Sequence, residues 1–470
     1  MVSKGVDYYL YFGSDDLNAN VAVPKIDRRH SGEANFHRNN MQIQSSNIRG
    51  IFNYTGRLEW VARRGSTEAA RQWQDVNTLT GNLGNGTMKN MFATPPRLGN
   101  PTVCWGFYDA GNGNSGLSNQ HQLYIYVTRD QRRWMSDLVA RKPEVAQAPF
   151  ARFALPGSHD AGMCTMATVM DIFNSPGGIA AMLGAAAFIP LIGPILAGVG
   201  RGFAPRAIAN LAMTQKDDIR AMLDSGTRYF DYRPGLMHSS LLGFARGVRY
   251  HQHGVIPGYP YVAFLEDLLR WLDANPGEIV VVNANVQGMA EDRMKPSAAD
   301  VWADFLTARG NVRLPRPVNT GDKQHLTRTY AELIRDNIRL IFLNQIEGET
   351  RKYDSWTGDD YATVTPGPII RRFEAMHPTP PDGQDYIVLQ MQATSTNIRA
   401  VAAASAVTTS DASSPLLATK AVMDAATNPW LRANGGRFSH EHPLVLLNDF
   451  VDNCMVDTAI QLTEARVARG

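Results

Sequence analysis

From about residue 150 onward, short apolar runs alternate with stretches whose apolar residues recur at helical spacing. The stretch Tyr261–Ala274 carries five apolar residues on one helical face, and Asn275-Pro-Gly277 ends it. Repeated strand–helix units predict a parallel sheet with helices outside it, and their number favours a closed or nearly closed barrel. The predicted strands are Phe153–Leu155, Arg228–Tyr232, Val248–Gln252, Glu278–Ala284, Ile338–Leu343, Tyr386–Gln390 and Leu444–Leu447.

Residues 1–145 follow a different pattern. Aromatic runs such as Tyr8–Phe12 and Gln122–Val127 lie between turn clusters such as Asn112-Gly-Asn-Ser-Gly116, which predicts a β-rich module. A lectin-like role, a membrane-binding role and a structural cap on the barrel are all open for it. The fold class is therefore α/β, a distorted TIM-type β/α barrel over 146–470 with an additional N-terminal β-rich domain.

Composition and charge exclude some classes of binding partner but do not indicate a reaction. The chain has 470 residues, 44% of them hydrophobic, and a net charge of +2, which is ordinary for a globular protein. Without a run of Lys or Arg, nucleic acid is not expected as a partner, and nothing indicates a protein partner. The three cysteines form no CxxC pair, so neither a disulfide framework nor a zinc site is expected. The polar start Met1-Val-Ser-Lys-Gly5 shows no secretory signal, which leaves the localisation open.

Ionisable residues gather where the predicted strands end. In β/α barrels the chemistry lies at the carboxyl ends of the strands. Each of four such ends places an ionisable group where an apolar run meets a turn. These segments are Leu155-Pro-Gly-Ser-His-Asp-Ala-Gly162, Phe230-Asp-Tyr-Arg-Pro-Gly235, Tyr250-His-Gln-His-Gly254 and Leu447-Asn-Asp-Phe450.

Strand alternation groups these side chains further. Asp231 and Arg233 share one strand face, as do His251 and His253. If both pairs point inward, two imidazoles and a guanidinium converge, which suits phosphoryl transfer. A neutral histidine removes a proton, a protonated one supplies a proton, and the arginine offsets phosphate charge. Each histidine then requires a carboxylate partner that sets its tautomer.

The order of these segments resembles a known family. The segment Leu155–Gly162 resembles the opening motif of the phosphatidylinositol-specific phospholipase C catalytic domain, the X region. The block from Thr214 to Arg233, the segment Tyr250–Gly254 and the run from Phe264 to Val282 follow in the family's order. The resemblance covers residues 150–290 well and the remainder loosely.

The resemblance implies catalytic roles for three residues. His159 matches the general base that deprotonates the inositol 2-hydroxyl, and His253 matches the general acid that protonates the diacylglycerol oxygen. Arg233 stands where the bacterial, metal-independent enzymes carry an arginine, so neither a metal nor another cofactor is expected. The substrate would be a phospholipid at a membrane surface, and the products diacylglycerol and a cyclic inositol phosphate.

The resemblance also assigns the carboxylates. Asp160 and Asp231 match carboxylates that support the acid histidine. Asp449 matches the partner of the base and is preferred over Asp452 because it lies closer to the strand.

Two departures leave the headgroup open. The bacterial family carries a lysine on its fourth strand, where the nearest equivalent here is Asn285. Met391 and Gln392 stand where the family has an aspartate and a tyrosine that contact the headgroup. A phosphodiester with another headgroup is therefore an alternative substrate.

An apolar insert over 170–210 separates the first two barrel strands, and it carries no charge from Ile172 to Gly200. Its length would span a bilayer, but Pro190 and Pro194 favour a helix, a bend and a second short piece. We interpret it as an interfacial element that enters lipid. The alternative is a buried helical hairpin packed against the N-terminal module.

Two other functions compete with the phospholipase. His251 and His253 form a His-x-His pair of the kind that binds metals, which suggests a metal-dependent hydrolase. Arg233 on the same face argues against it, because its charge would repel a bound cation. The other alternative is a non-enzymatic membrane-binding or pore-forming protein that uses the β module and the apolar insert.

Overall fold

The computed structural model describes residues 3–88, 95–111, 116–187, 204–244, 247–406 and 414–469. Within these ranges the N-terminal part is a β-sandwich of two sheets, with strand orders β4-β1-β9-β8 and β3-β2-β5-β6-β7. Strands β1 and β9 run parallel, and the other neighbours are antiparallel. The strands are β1 (Ser3–Phe12), β2 (Leu17–Val23), β3 (Ile26–Ser31), β4 (Phe36–Gln44), β5 (Thr55–Arg64), β6 (Thr67–Asn77), β7 (Leu83–Gly86), β8 (Thr102–Tyr108) and β9 (His121–Thr128).

The four-stranded sheet of this sandwich is buried on both faces. Because side chains alternate along a strand, Leu10 and Ile125 face the sandwich core, while Tyr9 and Tyr124 face the barrel. The tyrosine face packs against Leu416 and its neighbours near the chain's C-terminus. The β-rich module is thus packed on the barrel, whereas its boundary at residue 145 stays a prediction.

The second part is a curled sheet of eight parallel strands within the described residues, in the order β16-β17-β15-β11-β10-β20-β19-β18. No hydrogen bonds join β16 to β18 there, so this distorted TIM-type barrel is open at one side. The predicted fold class is confirmed. Its strands are β10 (Ala154–Ser158), β11 (Tyr229–Tyr232), β15 (Val280–Ala284), β16 (Asn319–Gly321), β17 (Ile338–Asn344), β18 (Lys352–Asp354), β19 (Tyr386–Gln390) and β20 (Leu444–Asn448).

Helices cover the outside of this sheet, as the strand–helix pattern predicts. Helix α6, for example, buries the apolar face of its sequence pattern against β11 and β15. The helices are α1 (Trp134–Arg141), α2 (Ala167–Asn174), α3 (Gly178–Ala186), α4 (Ala204–Ala212), α5 (Ile219–Asp224), α6 (Tyr261–Ala274), α7 (Ala298–Val312), α8 (Tyr330–Arg335), α9 (Gly358–Tyr361), α10 (Gly367–Ala375), α11 (Arg399–Ala406), α12 (Pro415–Asn434) and α13 (Asn453–Ala468).

One predicted barrel strand, Val248–Gln252, is wrong. The segment forms β13 (Tyr250–His253) in a small antiparallel sheet with β12 (Pro234–Gly235) and β14 (Ile256–Pro260). A parallel neighbour of β11 would require a crossover helix, and the described residues between β12 and β13 contain only a short 3-10 turn. The segment therefore folds back over the mouth of the barrel.

The described helices that flank the centre of the apolar insert each bury an apolar face. Helices α2, α3 and α4 pack on one another and on Met237 and Ile256 beside the small antiparallel sheet. The centre of the insert, 188–203, lies outside the described residues, so entry into lipid stays a prediction. Among the helices that the structure describes, none combines the length and apolarity needed to cross a membrane.

A buried ion cluster lies between the sandwich and the barrel. The Lys420 ammonium is 2.6 Å from Asp424 Oδ2 and 2.6 Å from Asp452 Oδ2, and all three side chains are buried. The Tyr126 hydroxyl donates to Asp424 Oδ2 at 3.0 Å, which joins the sandwich to this cluster. Removal of one member of a buried ion pair leaves an uncompensated charge in a low-dielectric interior.

Lys420→Met is therefore expected to lower the free energy of unfolding by about 3–5 kcal/mol. Urea unfolding monitored by circular dichroism measures the change. The matched control is Lys142→Met, since the Lys142–Glu464 pair is partly exposed to solvent and is expected to contribute less. Equal midpoints for the two variants would contradict the expectation.

Candidate active site

The ionisable side chains that the sequence placed at the strand ends lie together at the mouth of the barrel. His159 follows β10, Arg233 follows β11 and Asp449 follows β20, all at the carboxyl ends of neighbouring parallel strands. The small antiparallel sheet adds His253 from above. These side chains line one cavity of about 170 Å³, together with Asp160 and Asp231.

Backbone geometry after β10 turns the Asp160 carboxylate into this cavity. Asp160 has a left-handed φ of 44°, a conformation that is uncommon outside glycine and is found at functional sites. Two residues on, a Cβ at Gly162 would lie 2.2 Å from Cβ of His251. Glycine is therefore required there, because the loop after β10 and β13 approach each other closely.

The Asp160 carboxylate is the centre of the site. Its Oδ1 lies 2.9 Å from Arg233 Nε, and its Oδ2 lies 3.4 Å from His159 Nε2 and 3.9 Å from His253 Nε2. Both imidazoles thus face the same carboxylate oxygen, close enough for one phosphate group to contact both. Although burial acts to raise it, Arg233 and the histidines hold the pKa of Asp160 well below its ordinary value.

His159 is held by Asp449. Its Nδ1 lies 2.7 Å from Asp449 Oδ1, so Nδ1 carries a proton that the carboxylate accepts and Nε2 faces the cavity. Burial lowers the pKa of His159, but Asp160 and Asp449 outweigh burial and raise it to about 9. Asp452 is occupied elsewhere, since it accepts from the backbone N–H of Cys454 at the start of α13.

Arg233 is fixed on two sides by carboxylates. In addition to Asp160, its Nη2 lies 3.3 Å from Asp231 Oδ2 and 3.3 Å from His159 Nε2. Asn283 and Asn285 both donate to Asp231 Oδ1. Within the described residues Asp231 contacts Arg233 and not His253, so its position favours orienting the guanidinium over supporting the acid histidine.

The two histidines of β13 differ in their surroundings. The His253 side chain is about one-third exposed to the cavity (32%), whereas His251 is fully buried, with Nε2 3.2 Å from Asp160 Oδ1. Burial lowers the pKa of His253, and Arg233 and His159 lower it further against the opposing effect of Asp160. The two imidazoles of the His-x-His pair thus face different oxygens of the Asp160 carboxylate.

The position of Arg233 also bears on the metal alternative. His159, Asp160 and Asp231 are close enough to hold an ion together. However, the Arg233 guanidinium already lies within 3.3 Å of an atom of each of the three. Its positive charge stands where a cation would bind, which favours metal-independent chemistry.

The sequence pattern missed several residues that line the cavity. Lys352 enters it from β18, and Gln390, at the end of β19, donates to both Asp354 oxygens at 2.9 Å. Trp356 completes this wall. Strand β18 has only three residues, which is too short for an alternation signal. The one visible signal was the charge of Lys352 beside the aromatic Tyr353. A lysine side chain therefore reaches the cavity from β18. Asn285, the residue that the sequence placed at the lysine position of the fourth strand, instead donates to Asp231.

The base partner is connected to the ion cluster. Asn448, which precedes Asp449, donates to Asp424 Oδ1 at 2.9 Å and accepts from the Asp449 N–H at 3.0 Å. The Asn448 carbonyl accepts from the His159 N–H at 3.1 Å. The contact between sandwich and barrel thereby orients the backbone on both sides of the His159–Asp449 pair.

Comparison with known proteins identifies sequence relatives. No protein-family model matches the chain. PI-PLC X domain-containing protein 1 of Mus musculus is 25% identical over 200 residues, which cover 42% of this chain and 52% of that protein. The Homo sapiens protein of that name is 27% identical over 187 residues, 38% of this chain and 50% of that protein. The chain thus spans about half the length of the curated relatives it matches.

Two solved structures are similar to this one. Phosphatidylinositol-specific phospholipase C from Staphylococcus aureus, in a pentafluoro-Phe form, has a TM-score of 0.42 at 13% identity and covers 71% of this chain and 97% of its own. The Listeria monocytogenes enzyme has a TM-score of 0.36 at 14% identity, with 71% and 98% covered. The sequence relatives and the ordered motifs of residues 150–290 together support a PI-PLC X-domain family for this chain.

Proposed function

We propose that this protein is a phospholipase C-type phosphodiesterase that cleaves phosphatidylinositol-like lipids without a metal ion. The observation that carries the proposal is the arrangement around Asp160, where two imidazoles and a guanidinium face one cavity. The name of the curated relatives supports the same substrate class. Membrane association and the inositol headgroup are part of the proposal.

In the proposed reaction His159 Nε2 takes the proton of the inositol 2-hydroxyl, whose oxygen then attacks phosphorus. The bond from phosphorus to the diacylglycerol oxygen breaks, and His253 supplies the proton that this oxygen requires. Arg233 offsets the charge that develops on the phosphoryl oxygens. An internal hydroxyl is the better placed nucleophile, so the products are diacylglycerol and a cyclic inositol phosphate.

The headgroup is tested by a substrate screen. Phosphatidylinositol, phosphatidylcholine and phosphatidylglycerol are supplied in mixed micelles, with and without EDTA, and phosphorus NMR identifies the products. We expect a cyclic phosphate from phosphatidylinositol at the same rate under both conditions. Turnover of another headgroup would favour the alternative substrate, and loss of activity with EDTA would favour the metal-dependent hydrolase.

The two histidines together are expected to hold one proton across neutral pH. The pKa of His159 is raised to about 9, and that of His253 is lowered, so the resting proton resides on His159. The reactive form, with His159 neutral and His253 protonated, is then a constant minor fraction between the two pKa values. We therefore expect kcat/KM to be flat near neutrality and to fall as the pH rises above about 9.

Asp449→Asn removes a carboxylate that raises the pKa of His159, so the fall in kcat/KM is expected to begin at a lower pH. The rates are measured from neutral to alkaline pH and compared with Asp292→Asn, whose carboxylate is exposed and does not line the cavity. An alkaline limb at the same pH in both variants would contradict the role of Asp449.

A further inference from the structure

Two neighbouring loops of the N-terminal sandwich expose large apolar side chains. In the loop between β4 and β5, Ile51 is 89% exposed and Phe52 is 86% exposed. In the loop between β6 and β7, Leu79 is 61% exposed. The loops are adjacent, since the Thr78 N–H and hydroxyl both donate to the Tyr54 carbonyl. We call the segments 49–53 and 78–82 the tip loops.

The first tip loop is built to present these side chains. Phe52 has a left-handed φ of 60°, which is unfavourable for a bulky residue and persists only where neighbouring contacts hold it. Asn53 holds it here, because its side chain donates to the Arg49 carbonyl at 3.0 Å and accepts from the Thr55 N–H at 3.1 Å. The exposed Phe52 is thus a fixed feature of the loop.

The tip loops themselves carry no negative charge, and two exposed cations lie in or beside them. Residues 45–58 and 76–88 contain no Asp or Glu. Arg49 is exposed in the first loop, and Lys25 is exposed in the β2–β3 turn, where Pro24 packs against Gly56. Neither cation forms an ion pair within the part of the chain that the structure describes. The apolar tip is therefore flanked by free positive charge.

Contacts through the β8–β9 loop link the tip loops to the mouth of the barrel. Gly81 adjoins the Gly111 carbonyl, which also accepts from Lys4 Nζ. The following segment of the same β8–β9 loop contacts the barrel, where Leu117 packs in one cluster with Leu416. Leu416 itself lines the catalytic cavity. These contacts connect the tip loops to the rim of the cavity through the β8–β9 loop.

We propose that the tip loops insert into the surface of an anionic lipid bilayer and hold the mouth of the barrel against it. Apolar residues that enter the acyl boundary, flanked by cations that face anionic headgroups, are the pattern of interfacial binding. A protein partner fits less well, because a stable protein interface needs about 20–30 residues a side. The inference rests on the proposed function, since the anchor serves a barrel that acts on lipid.

The test measures vesicle binding without turnover. The full chain is sedimented with vesicles of phosphatidylcholine that contain phosphatidylglycerol and no phosphatidylinositol. The double variant Ile51→Ser/Phe52→Ser is expected to bind at least about ten-fold more weakly than the unchanged protein. The matched control is Trp302→Ser/Leu306→Ser, which removes an exposed aromatic and an exposed aliphatic side chain from α7 and is expected to bind normally.

Hydrolysis of a dispersed, short-chain phosphatidylinositol separates this inference from the proposed function. The tip-loop variant is expected to keep its rate on that substrate. Equal vesicle binding by the tip-loop variant and the unchanged protein, or no vesicle binding by either, would overturn the anchor whatever the activity. Normal anchoring without hydrolysis of any phosphatidylinositol would instead overturn the proposed function.

Discussion

Replacement of His253 by alanine is expected to lower kcat on phosphatidylinositol by about 10²–10⁴-fold. The diacylglycerol alkoxide is a poor leaving group, and His253 is the imidazole of the cavity that remains free to protonate it. His159→Ala is expected to cause a loss of similar size, because the 2-hydroxyl then loses the imidazole that takes its proton. Steady-state rates on mixed micelles measure both changes.

A substrate with a better leaving group separates the two roles. With an inositol nitrophenyl phosphodiester, the leaving phenolate needs no proton, so His253→Ala is expected to recover most of its rate and His159→Ala is not. The control is His377→Ala, which removes an exposed histidine that does not line the cavity. Recovery by the His159 variant instead would show that the base and acid assignments are reversed.

Arg233→Ala is expected to lower kcat by about 10²–10³-fold, which corresponds to about 2.7–4 kcal/mol of transition-state stabilisation. Arg233→Lys is expected to recover little, because an ammonium cannot contact Asp160, Asp231 and a phosphate with the fork geometry of a guanidinium. Steady-state rates are compared with those of Arg270→Ala, a largely exposed arginine on α6.

The Arg233 variants also test the metal alternative. Without the guanidinium, His159, Asp160 and Asp231 are close enough to share an ion. A divalent cation that restores Arg233→Ala without affecting the unchanged protein would support a native site whose charge the arginine supplies. A native rate in Arg233→Ala would contradict the proposed role, and a thermal unfolding measurement shows that the variant is folded.

Local sequence patterns predicted much of the barrel. Strands such as β11, β15 and β19 are apolar runs bounded by turn residues, and α6 is an amphipathic helix with a clear end, so burial and chain direction were readable without the fold. The segment with His251 and His253 was wrongly predicted as a barrel strand, because local pattern does not show which sheet a strand joins. Its alternation is that of any strand, and only the missing crossover helix placed it in an antiparallel sheet above the mouth.

For the site, too, the sequence predicted the residues but not all of their partners. His159, Asp160, Arg233 and His253 lie in motifs at strand ends, and the structure brings all four to one cavity with Asp449. Their roles stay predictions until the variants are measured. The partner of Asp231 could not be read from spacing, because alternation sets a strand face and does not select among charges on that face.

By itself the sequence determined where most of the barrel strands lie, that strands and helices alternate as in a barrel, and which motifs carry histidine, arginine and aspartate to the strand ends. These properties depend on local periodicity and on residue type. Only the tertiary structure decided that Lys352 and Gln390 reach the cavity, that the sandwich docks through its tyrosine face, and that Leu117 of the β8–β9 loop packs with Leu416 at the cavity. Those facts depend on contacts between residues far apart in the chain, which leave no periodic signal in any one segment.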